Sequence, residues 1–101
     1  MGGQEILDKI EGKRLMLIPA GRNDAEVKKL LADIFGFLKK IDPGELNLFG
    51  DAATGYSNNI DRIRTEIQGI LADFNAGRID IAYGRVMGLN VSLAMISSVE
   101  K

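Results

Sequence analysis

Two stretches of the chain repeat apolar residues at alternating spacings of three and four, and that pattern leaves little room for anything but helices. Val27, Leu31, Ile34, Leu38 and Ile41 form one stripe; Ile60, Ile63, Ile67, Ile70 and Phe74 form the other. A half-buried strand would alternate with period two, whereas these spacings keep five side chains on one helical face. Leu30, Phe35 and Phe37 widen the first stripe and Leu71 the second. Lys28, Lys29, Asp33, Lys39 and Lys40 occupy the far side of the first; Asp61, Arg62, Arg64, Glu66, Gln68 and Asp73 fall outside the second. Each helix therefore needs cover on one side only.

Punctuation sets the boundaries. Asn23 or Asp24 is a good N-cap, and Asp24 and Glu26 suit the positive end of the helix dipole. Asp42-Pro43-Gly44 ends that helix, and Gly77 is placed to cap the next. Upstream, Ile6, Leu7, Ile10 and Leu17 share a face that Arg14 interrupts. Gly12 weakens that segment by about 1 kcal/mol relative to Ala. The run Leu15-Met16-Leu17-Ile18 reads as helix or short strand; length favours helix, and Pro19 is expected to end it. Downstream, Ala82, Val86, Leu89, Leu93 and Ile96 make one face of a segment in which Tyr83, Met87, Val91, Ala94 and Met95 make a second.

The spacing thus predicts helices near 4–18, 24–41, 58–76 and 80–98: one all-α domain over 1–101, a small four-helix bundle with one long irregular loop at about 45–57. Gly50, Asp51 and Gly55 mark the loop, with Leu46, Leu48 and Phe49 pinning it to the core. A hydrophobic share of 46% beside 27% charged residues is that of a folded globular chain.

What is missing constrains function. The chain has no cysteine and no histidine. Disulfides and Cys-based zinc sites are out, and so are the commonest general base and metal ligand. No Glu-x-x-His pair occurs for a di-iron bundle. Asp61 and Glu66, five apart, do not face each other, and the acidic residues read as solvated faces or caps. No catalytic, cofactor-binding or metal residue is expected, and the chain reads as a non-enzyme. Residues 1–50 hold 8 basic and 8 acidic side chains, and residues 51–101 hold 5 and 6. Neither half has the cationic excess that phosphate contact normally uses. The longest uncharged run, Val86 to Val99, is 14 residues, short of the ~20 that span a bilayer. No signal-peptide pattern opens the chain. No membrane contact is expected, and a cytoplasmic location is.

Three features remain as candidate sites. Gly50-Asp51-Ala52-Ala53-Thr54-Gly55-Tyr56-Ser57 has P-loop spacing, but Tyr56 stands where a lysine must reach the phosphates; nucleotide binding is not expected. Gly84, Gly88 and Ser92, four apart, form a groove of small residues beside the adaptable side chains Tyr83, Met87, Val91 and Met95. These seven are the predicted contact with a protein partner, most simply a second copy. The alternative is a nucleic-acid-associated accessory subunit using Arg62, Arg64, Arg78 and Arg85, if those four converge. The stretch Phe74-Asn75-Ala76-Gly77-Arg78-Ile79-Asp80 resembles the cap-and-restart segments of small helical proteins of phages and mobile elements.

Overall fold

The computed structural model describes residues 2–97. It contains four helices, α1 (Gly3–Ala20), α2 (Asp24–Leu38), α3 (Gly50–Asn75) and α4 (Ile79–Ile96), with a short 3₁₀ turn at Pro43–Leu46. Consecutive helices pack side by side, and α4 closes back on α1. The result is an up-down-up-down bundle about 41 Å long and 21 × 19 Å across. Both stripes face inward: Val27, Leu31, Ile34, Ile67 and Ile70 are fully buried, together with Ile10, Ala82 and Leu93.

The helix ends show which local signals decided. Asn23 caps α2, its side chain accepting from the Glu26 N–H at 3.1 Å. Residues 13–18 are helical, and α1 runs through Pro19. Proline lacks its N–H, but in the last turn that loss is one bond, so the helix continues to Ala20. Gly21 ends it instead, at φ +57°. The helix α2 stops at Leu38, short of the predicted Ile41. Ile41 still packs against the core, which a side chain can do from the turn after a helix. At the end of α3, the Gly77 N–H bonds Phe74 O at 3.2 Å and the Arg78 N–H bonds Asp73 O at 2.9 Å. With Gly77 at φ +81°, this is a Schellman cap. The following helix starts at Ile79, so Asp80 lies in its first turn rather than at the cap; the predicted end at 98 lies outside the described residues.

The expected loop at about 45–57 is the main correction. Residues 43–46 form the 3₁₀ turn, which packs on the start of α1 with Leu46 against Gly3. Residues 50–57 are the first two turns of α3. Gly50, at φ +60°, provides the break; Gly55 sits inside the helix. Ala53 and Tyr56 extend the stripe of Ile60 and Ile63 upstream at spacings of 3, 4 and 3. Tyr56 packs on the core and donates its hydroxyl to Ile96 O at 2.8 Å.

Candidate functional site

The two faces of α4 meet different surroundings. Ala82, Val86, Leu89 and Leu93 enter the core. On the other side Met87, Val91 and Met95 are 62%, 63% and 72% exposed, and Ile81 is exposed with them. Gly84 and Gly88 are exposed as well, and a Cβ added to either would meet nothing within 4 Å. No close approach within the chain therefore requires glycine at either position. Tyr83 and Ser92 are half-buried and mark the edges of the strip. Tyr83 leans toward α2, its hydroxyl bonded to Asp24, with Phe74 edge-on to its ring. Burial pushes the Tyr83 hydroxyl up to about 12. Ser92 lines the shallow groove between α4 and α3.

Two exposed apolar residues of α1 lie near this surface on one helical face: Ile18, which lines a groove with α4, and Leu15, one turn before it. Sequence reasoning missed them, because a continuous apolar run does not declare which of its members face out. Ile18 and Met87 wall a groove of about 410 Å³ between α1 and α4, floored by Leu17 and Val86. Arg22, Asp80 and Tyr83 line the same groove. Arg22 donates to Asp80 at 2.8 Å, and its guanidinium lies 4.8 Å from the Tyr83 ring centre. A second groove on this seam, about 320 Å³, is lined by Asp8, Glu11 and Arg14 of α1 and by Ser97. Between the two grooves, Arg14 donates to Asn90 Oδ1 at 2.8 Å and pairs with Glu11. That contact explains the charge interrupting the apolar face of α1, and it holds the Glu11 carboxyl below its ordinary range.

Three of the four arginines adjoin the α3–α4 seam, where Arg62 and Arg85 line one groove and Arg78 and Arg85 share Asp73, while Arg64 lies apart. Arg85 lies in the α3–α4 seam, where Nε and Nη2 donate to Glu66 at 2.9 and 3.0 Å and Nη1 to Asp73 at 2.8 Å. Arg78 donates to the other oxygen of Asp73 at 2.9 Å. Arg62 bonds Asn59 at 3.0 Å. Arg64 faces α2, its guanidinium 5.2 Å from the centre of the Phe35 ring. Asp73 is buried rather than outward-facing. Hydrogen bonds from Arg85 and then Arg78 lower its pKa, and those from Arg85 lower that of Glu66.

The Gly50–Ser57 string is helical throughout and so forms no glycine loop around a phosphate. Among the described residues no three acidic side chains converge to hold a metal ion. By length and composition α4 could cross a membrane, with a third of it buried in the bundle. The chain matches no family model, no curated protein and no solved structure.

Proposed function

We propose that this chain is a non-catalytic interaction protein, cytoplasmic, which binds another chain through the outward face of α4, most simply a second copy of itself. The observation that carries the reading is the uncharged row Ile81, Met87, Val91 and Met95, exposed beside Gly84 and Gly88. Single exposed apolar residues are ordinary, but a contiguous patch on a small monomer commonly marks a contact. Fully burying such a side chain contributes about 1.5–3 kcal/mol. Four partly exposed ones from each of two protomers then contribute on the order of 10 kcal/mol, against an association cost of about 4–15 kcal/mol. At the low end of that cost, association reaches about -6 kcal/mol, a dissociation constant of tens of micromolar. Closed two-fold dimers are the commonest homo-oligomers.

Nucleic-acid contact finds less support, since Arg85 and Arg78 are engaged by Glu66 and Asp73 and Arg64 is turned toward α2. The deciding experiment is the solution mass of the wild type and of Met87→Glu with Met95→Glu. The reading expects a dimer that becomes a folded monomer. A wild type that is monomeric at high micromolar concentration refutes it.

A further inference from the structure

The two grooves between α1 and α4 lie end to end on one face, and that face is self-complementary. Leu15 and Ile18 rise from α1, and Met87 and Val91 from α4. Arg22 stands at one end, exposed, stacked on Tyr83 and bonded through one nitrogen to Asp80. Asp8 stands at the other end, exposed and bonded to Gln4. Leu15 is seven residues from each of them; Asp8 lies about 10 Å away along α1 at 1.5 Å per residue, and Arg22 lies just past the end of that helix.

The two helices also agree on a centre. They run antiparallel, and the Arg14–Asn90 bond sets Leu15 level with Leu89, midway between Met87 and Val91. Resting on the self-association reading above, we propose that a second copy lies antiparallel on this face with the two-fold axis over Leu15. Arg22 then meets the partner's Asp8, and Met87 meets the partner's Val91, once on each side of the axis. A parallel arrangement would bring Asp8 against the partner's Asp8, two like charges, while at the other end Arg22 still has Asp80. Area argues the same way. From Ile81 to Met95 the α4 strip is about 21 Å long and about 10 Å wide, well below the ~800 Å² per partner of a standard interface. Adding the flank of α1 doubles that to about 400 Å² per partner, which is in the range of weak, transient contacts.

The chain has no cysteine, so one can be placed at the axis. Leu15→Cys in the full chain is expected to give a covalent dimer under mild oxidation, because only facing Cα atoms within about 7 Å can be bridged. Asp8→Arg and Arg22→Asp, each alone, are expected to raise the dimer dissociation constant on the order of tenfold. Combining them is expected to restore it. From Asp8 to the end of α1 at Ala20 is about 18 Å, beyond the ~8–10 Å screening length, so rescue cannot act within one chain. Unchanged helical circular dichroism confirms that each variant folds. Failure of either the cross-link or the rescue in a dimeric wild type overturns the arrangement. If Met87→Glu with Met95→Glu still splits that dimer, the broader α4 reading stands. A monomeric wild type overturns both.

Discussion

At the scale of single residues, the α3–α4 seam turns on a glycine. A Cβ at Gly69 would stand 2.5 Å from Arg85 Nη2 and 3.1 Å from Cζ. A Cβ there would require the Arg85 guanidinium to shift from its present place against α3. Gly12 offers the contrast: it is exposed and helical, and an added Cβ would meet nothing within 4 Å. Gly12→Ala should therefore stabilise the fold by about 0.5–1 kcal/mol, a rise in Tm of several degrees. Gly69→Ala has the same helix-propensity gain, but it displaces a guanidinium that holds a buried carboxylate, so no net rise in Tm is expected. Thermal melts of the two variants decide it, and equal gains would mean that Arg85 is not held across the helix. Asp73 illustrates what spacing hides. It lies beside the core residue Phe74 at the edge of the stripe, and its two cations are Arg78, at the start of the next helix, and Arg85 within that helix. Nothing in the local pattern announces a partner twelve residues away.

Among the elements, the two stripes of α2 and α3 were legible because each combines a 3–4 repeat with a charged back. The beginning of α3 was harder to read. Gly50 and Gly55 look alike as breakers, yet only Gly50 has the positive φ that breaks the chain. Ala53 and Tyr56 carry the 3–4 spacing of Ile60 and Ile63 upstream, a pattern that reads as helix back to residue 53. This yields a direct check: Gly55 is helical with open space around it, so Gly55→Ala should stabilise by about 0.5–1 kcal/mol. In a phosphate-wrapping loop the same change would be neutral or harmful. Correspondingly, ATP or GTP should leave Tm unmoved, since a ligand at one hundred times its dissociation constant would add about 2.7 kcal/mol. A nucleotide-dependent rise abolished by Gly55→Ala would reverse this conclusion. The surplus apolar face of α4 was legible from its lack of charge; the flank of α1 that joins it was not.

For the whole molecule, acid and concentration probe different seams. Glu66, Asp73 and Glu11 all have carboxyl pKa values lowered by arginine hydrogen bonds. A folded pKa below the unfolded one means that the stabilisation is complete above the unfolded value and disappears as pH falls through the folded value. With no histidine to titrate, Tm should be nearly level from about pH 6 to 8 and fall below about pH 4.5. Glu66→Gln should reduce that acid dependence, and an unchanged pH profile would show that the Arg85 pair does not contribute. Concentration reports on self-association. If unfolding separates two protomers, mass action makes Tm rise with protein concentration. A tenfold increase shifts a dimer equilibrium by about 1.4 kcal/mol, which, shared between two 101-residue chains, corresponds to a few degrees. Met87→Glu with Met95→Glu changes only exposed side chains. It should abolish the concentration dependence while leaving the helical signal intact, and at low concentration its Tm should match that of the dissociated wild type. If the double variant unfolds at every concentration instead, the exposed face of α4 is needed to hold a single chain together. If the wild-type Tm is the same across a roughly hundredfold range reaching high micromolar, the second copy is not the partner.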